Sequence, residues 1–105
     1  MTSGPKFFAE ALAEYEDAIV HYEQREPGLG ARLIKEFDEV VAVALEFPDA
    51  FAGVPDVPLT WGLRSVRLQT FPIKLVYTVN EGTLLVVAVF HAHRRPGYWL
   101  ERLGR

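Results

Sequence analysis

The chain has 105 residues, half of them hydrophobic and 24% charged, which is ordinary globular composition and the length of one domain, residues 1–105, with its own core. Its net charge of −3 is uneven: residues 1–56 carry twelve Asp/Glu against four Lys/Arg, residues 57–105 two against seven, so the halves stand at −8 and +5. With no cysteine, disulfides, thiolate zinc sites and cysteine nucleophiles are excluded, which fits a reducing cytoplasm, and no apolar run approaches the about 20 residues a membrane-spanning helix needs.

The start, Met1-Thr2-Ser3-Gly4-Pro5, lacks the basic-then-apolar pattern of a signal peptide. A helix is expected from Lys6 to Arg25. Phe8, Ala11, Leu12, Tyr15, Ala18, Ile19 and Tyr22 recur at spacings of three and four and form one apolar stripe. Glu10, Glu14, Asp17 and His21 fall off that stripe and should be solvated. Pro27-Gly28-Leu29-Gly30 breaks the pattern. A second helix is expected from Gly30 to Phe47, with Leu33, Ile34, Phe37, Val40, Val41, Ala44 and Leu45 as its stripe, and Phe47-Pro48 ends it. Two amphipathic helices with a short break imply an antiparallel hairpin. Its broad apolar face must be covered by something else.

That cover reads as a sheet. Residues 49–62 hold Gly53, Pro55, Pro58 and Gly62 and read as a loop. Leu63 to Thr70 alternates as a half-buried strand. Phe71-Pro72 reads as a turn. Ile73 to Val79 alternates again, with Ile73, Leu75, Tyr77 and Val79 on the side facing the helices. Asn80-Glu81-Gly82 reads as a hairpin loop. Thr83 to His91 is almost wholly apolar, as expected of a central strand covered on both faces. Trp99, Leu100 and Leu103 read as a final turn of helix. A turn at Phe71-Pro72 would set Gln69 opposite Lys74, with Arg67 diagonal to it. The far side of the sheet would then present Ser65, Arg67, Gln69, Lys74 and Thr78 as an open cationic face, rimmed by residues 91–98. The fold class expected is α+β in two layers: an N-terminal helical hairpin on a three- to four-stranded antiparallel sheet.

The densest chemistry lies in His91-Ala92-His93-Arg94-Arg95-Pro96-Gly97-Tyr98-Trp99. Imidazole moves protons near neutral pH. A guanidinium matches a phosphate, and a tyrosine donates a proton or stacks on a base. Such groups suit RNA cleavage, where acid–base help is worth about 10²–10⁴-fold. The same residues have plain readings too. His91 follows a buried strand and reads equally as a structural histidine. His93-Arg94-Arg95 reads as a solvated loop, and Trp99 reads better as a plug for the sheet. Three histidines without grouped carboxylates do not make a metal site, and Gly28-Leu29-Gly30 is no phosphate loop. No metal and no cofactor are expected.

Several stretches resemble the RelE/ParE superfamily of toxins from bacterial type II toxin–antitoxin systems. They are Glu10-Ala11 with Tyr22-Glu23; Pro27-Gly28-Leu29-Gly30 with Phe37 and Phe47-Pro48; Phe71-Pro72 with Leu75-Val76-Tyr77; and Ala88-Val89-Phe90-His91 through Arg94, Pro96, Tyr98 and Trp99. The last is similar to members labelled plasmid-stabilisation proteins. The resemblance implies a cognate antitoxin as partner, with an acidic tail meeting Arg64, Arg67, Lys74 and Arg94. It also implies growth inhibition by one of two routes. RelE-like members cut messenger RNA on the ribosome, which would make His91, His93, Arg94 and Tyr98 catalytic and Arg64, Arg67, Lys74 and Arg95 phosphate- or target-binding. ParE-like members poison DNA gyrase without catalysis, contacting it through the helix hairpin and the tail. A degenerate member that only binds antitoxin is the alternative. Homo-oligomer and toxin–antitoxin hetero-oligomer both stay open. The family's first strand precedes the first helix; only Ser3 to Phe7 is available for it here, so it is short or the start is truncated. A short first strand would leave a sheet edge open to a partner.

Overall fold

The computed structural model describes residues 4–104, so Met1, Thr2 and Ser3 lie outside the described residues. In chain order the elements are β1 (Lys6–Phe7), α1 (Ala9–Arg25), α2 (Leu29–Glu46), β2 (Leu63–Arg67), β3 (Ile73–Asn80) and β4 (Thr83–His91), with 3₁₀ turns at Leu59–Trp61 and Leu100–Gly104. Among the described residues, no helix is long and apolar enough to cross a membrane.

The helical hairpin forms as the stripes require. Pro27 cannot continue α1, and Gly28 turns the chain at φ 96°, in the left-handed region glycine tolerates. The Glu23 carboxylate accepts the N–H groups of Gly28 and Gly30, so α1 itself caps the first turn of α2. At Gly30 a side chain would meet Glu23 and Ile19 at 3.0–3.3 Å; the absence of one lets the helices close. Ala11, Leu33, Phe37, Val41 and Ala44 then pack on Leu75, Tyr77, Leu84, Val86 and Val89 of the sheet. Phe7, Tyr15 and Phe37 stack in series at 4.2–5.9 Å. Leu12 and Ile34 of the expected stripes are instead exposed.

The sheet order is β1-β4-β3-β2. β2–β3 and β3–β4 are antiparallel, but β1 runs parallel to β4. The sheet is therefore mixed, not antiparallel throughout. The helix expected from Lys6 starts at Ala9 because Lys6 and Phe7 pair with Leu85 and Val86, and the Phe8 N–H donates to the Val86 carbonyl at 3.0 Å. Tertiary pairing overrides a weak local helix preference here.

The β2–β3 connection also departs from expectation. β2 stops at Arg67, and the Leu68 N–H donates to the Ile73 carbonyl. The turn is thus residues 69–72, and Arg67, not Gln69, stands opposite Lys74. The loop is drawn onto the helices. Phe71 is buried and packs edge-on to Tyr22 at 4.8 Å, while Glu36 accepts the Thr70 N–H at 3.0 Å. The β3–β4 hairpin closes at Asn80 and Thr83, with Glu81 and Gly82 both at positive φ, as a tight primed turn needs.

An irregularity in the β3–β4 ladder sets the facing of the second half of β4. Val76 faces Ala88 but Tyr77 faces Val86, so Val87 is an extra residue in β4. Such a bulge reverses which face later side chains take. Leu84 and Val86 point to the helices, and after the bulge Val89 does so too.

The far side of the sheet is not open. Leu63, Val76, Val87, Ala88 and Trp99 form a second core, joined by Val54, Val57, Phe90, Tyr98 and Leu103. The 49–62 loop and the tail cover the middle of the expected cationic face because its register positions are apolar. Trp99 is the plug its sequence context suggests.

Tyr77 is fully buried, and its hydroxyl has no hydrogen-bond partner among the described residues. An unpaired buried hydroxyl is costly. Tyr77→Phe is expected to leave stability unchanged or raise it by about 1 kcal/mol, read by urea unfolding. A loss of that size would mean the hydroxyl is paired.

Candidate functional site

Lys74 and Arg94 border a recess of ≈ 290 Å³ on the outer face, with Ser65, Phe90 and Trp99 among its other walls. Arg67 adjoins Lys74 across the β2–β3 ladder and is exposed. This is the part of the expected cationic face that the structure assembles. Arg64 lies on the opposite side, facing Tyr77. It is half-buried and occupied, donating to the Phe51 carbonyl at 3.1 Å and to Asp49 at 2.9 Å. Arg95 lies beyond the sheet beside Glu10, Tyr98, Glu101 and Arg102.

The histidines fall elsewhere. The Val87 bulge sets His91 level with Ile73, and it lines a recess with Glu14, Asp17, His21 and Tyr22 of α1. An unbroken alternation would have put it on the outer face. His93 donates its backbone N–H to His91 Nδ1 at 3.2 Å, which leaves Nε2 to carry the proton of a neutral ring. The two rings are 5.2 Å apart. Arg94 borders both the His91 recess and the Lys74 recess.

The centre of the tail is a residue that helical periodicity assigns to solvent. Glu14 has a side chain only 16% exposed. Arg102 grips both its oxygens, at 2.9 and 3.0 Å. Tyr98 donates its hydroxyl to Oε2, and the Val89 N–H donates to Oε1 at 3.1 Å. Arg94 stands 3.7 Å from the same carboxylate and stacks over the Tyr98 ring at 3.7 Å. Burial by itself would raise the Glu14 pKa, but hydrogen bonds from Arg102, Tyr98 and Val89 and the Arg102 charge outweigh it and hold the carboxyl below its ordinary range. Burial, then the hydrogen bond to Glu14 and its charge, push the Tyr98 phenol far above its usual value. Tyr98 thus keeps its proton and spends it on Glu14. The opposite charges of the two halves are the sequence feature that agrees with this pairing of Glu14 with Arg94 and Arg102.

The groups read as one convergent site are therefore divided. Lys74, Arg67 and Arg94 edge the outer face. His91 lies toward α1, and Tyr98 is bound to it. Arg94 links the two.

No protein-family model matches the chain, and no curated protein matches it either. Among solved structures it is similar to the chromosomal ParDE TA system from P. aeruginosa, at 20% identity over 84% of this chain and 94% of that one, with a TM-score of 0.63. It is similar also to the isolated E. coli RelE toxin, at 20% identity over 99% of this chain and 98% of that one, with a TM-score of 0.61. The two helices packed on a four-stranded mixed sheet are thus the RelE/ParE fold.

Proposed function

We propose that this chain is the toxin of a toxin–antitoxin pair, silenced by a cognate antitoxin and, when free, arresting growth by gripping a target such as DNA gyrase rather than by cutting RNA. The shared fold supports the toxin reading, and the two likenesses are too even to choose a mechanism. The division of the site carries the choice. General acid–base catalysis needs proton-transfer groups within hydrogen-bond reach of the substrate that the cations hold. Here the Tyr98 hydroxyl is committed to Glu14, and His91 lies toward α1, away from Lys74. What remains on the outer face is a binding surface: Lys74 and Arg94 border a recess that Asp56 and Ser65 also line, and Arg67 adjoins Lys74 across the ladder. It suits an acidic, partly apolar segment that orders on contact, as an antitoxin tail would.

RNA cleavage is the second reading. The His91–His93 pair beside Arg94 favours it, because Arg94 borders both recesses and could hold a phosphate within reach of an imidazole.

Expression without an antitoxin should arrest growth. Purified protein should stop gyrase supercoiling while messages survive in a translation reaction. His91→Ala and His93→Ala should keep the arrest, whereas Lys74→Glu with Arg94→Glu should abolish it and weaken antitoxin binding at least tenfold, by the loss of paired charges. Message cleavage that either histidine variant removes would overturn the binding reading in favour of the second. No arrest at all would leave a degenerate, antitoxin-binding module.

A further inference from the structure

β2 keeps a short stretch of open edge. In an antiparallel ladder, alternate residues turn their N–H and C=O groups toward the partner strand and away from it. The Leu68 N–H donates to the Ile73 carbonyl, so Leu68 and Val66 bond to β3, while Ser65 and Arg67 turn their backbone groups outward. At Ser65 the outward N–H is met by the Ala52 carbonyl at 3.0 Å. The chain before Ala52 then turns back toward α2, with the Ala50 N–H donating to the Phe47 carbonyl. The N–H and C=O of Arg67 are left without a partner among the described residues.

Beside this edge, between β2 and α2, runs a groove of ≈ 320 Å³. Val40, Val43, Phe51 and Val66 give it an apolar lining, and Val43 is 41% exposed. Its two sides differ in charge. Glu36 and Glu39 line it from α2, Arg67 and Gln69 from the β2 side. Glu36 is engaged by Thr70 and Arg32. Glu39 is exposed and has no cationic partner among the described residues. Its neighbours in sequence supply none: residues 36–63 contain six Asp/Glu and no Lys or Arg. The last turn of α2 likewise carries Glu46 and no base, although a helix C-terminus favours cations. Val66 packs toward the helices, so Arg67, next to it, takes the opposite face of the sheet.

We propose that the open edge of β2 binds an extended segment of a partner protein carrying an apolar residue and, two positions on, a Lys or Arg, both turned toward α2. Arg67 supplies the main-chain donor and acceptor for it. Alternate residues of an extended chain lie on one side, about 6.6 Å apart. Val43 and Glu39 are about one turn of α2 apart, a rise of about 6 Å. The apolar residue therefore meets Val43 and Val66 while the base meets Glu39. The residue between them lies on the Arg67 side of the sheet, where a second base is repelled. This preference is the reverse of that of the recess beside Lys74 and Arg94, so the two surfaces select different segments.

The probe is a blocked peptide repeating threonine–leucine–threonine–lysine. One matched peptide has glutamate for lysine, and another has serine for leucine. Titrated into isotope-labelled protein, the lysine peptide should shift the amide resonances of Glu39, Val43 and Arg67. At saturation it should slow exchange of the Arg67 amide about tenfold or more. The glutamate and serine peptides should each bind at least about tenfold more weakly. Glu39→Lys should reverse the preference in favour of the glutamate peptide. Val43→Ser, a second change at an exposed position, should weaken the lysine peptide about fivefold. An Arg67 amide that stays fast, equal binding of the glutamate or serine peptide, or no binding at all overturns the proposal. So do shifts confined to Lys74, Arg94 and Trp99, or folded variants that bind as the unaltered protein does.

Discussion

Trp99→Ala is expected to lower the unfolding free energy by about 3–5 kcal/mol, the cost of emptying a large aromatic site in a core. The indole is 2% exposed. It fills the outer face of the sheet against Leu63, Val76, Val87 and Ala88. The loss should spread beyond the cavity. Tyr98, next in the chain, packs edge-on against Phe90 at 5.5 Å, and the Arg102 N–H donates to the Trp99 carbonyl. The indole thus anchors the whole tail. Urea unfolding followed by far-ultraviolet circular dichroism reads the change. A loss under about 1 kcal/mol would mean that the tail contributes little to the native state.

Glu14→Ala is expected to cost about 3 kcal/mol, the low end for stranding one partner of a buried ion pair. The low end applies because Arg102 keeps 11% of its side chain exposed and retains the Val87 carbonyl as an acceptor. The Val89 N–H and the Tyr98 hydroxyl lose their acceptor at the same time. Glu14→Gln isolates the charge and carries a pH signature. The folded carboxyl has a pKa below its ordinary value of 4.5, so the unfolded chain binds this proton more readily than the native one. The stability it contributes is therefore full above the ordinary carboxylate range and fades as pH falls through the lower, folded value. The gap between unaltered protein and Glu14→Gln should be widest at neutral pH and should shrink in acid. A gap that stays constant from neutral pH to well below 4.5 would show that shape, not charge, holds the tail.

Much of the architecture is legible in the amino-acid order. Spacings of three and four locate both helices, and Pro27-Gly28 locates the break between them. Alternation places Ile73, Leu75, Tyr77 and Val79 on the helix side, and the unbroken apolar run from Thr83 marks the interior strand. Trp99 is legible as a plug. Less of the candidate site is legible. Lys74 and Arg94 do border one recess, beside Arg67, but Arg64 lies on the other face and His91 turns toward α1. Glu14 defies its periodicity, since a position off the apolar stripe marks solvent only when nothing else packs there.

The difference lies in the range of the physics. Periodicity and turn chemistry act between residues a few places apart, so the amino-acid order alone settled the element types, the helical hairpin and the strand that lies inside. Pairing is decided by groups far apart in the chain. Two residues of β1 find β4 across nearly eighty positions, Glu36 pulls in the β2–β3 turn, a single added residue at Val87 reverses the face His91 takes, and Glu14 and Arg102, from opposite ends of the chain, meet beside β4. Those outcomes depend on which backbone groups are left without partners once the layers close, and only the assembled structure decides that.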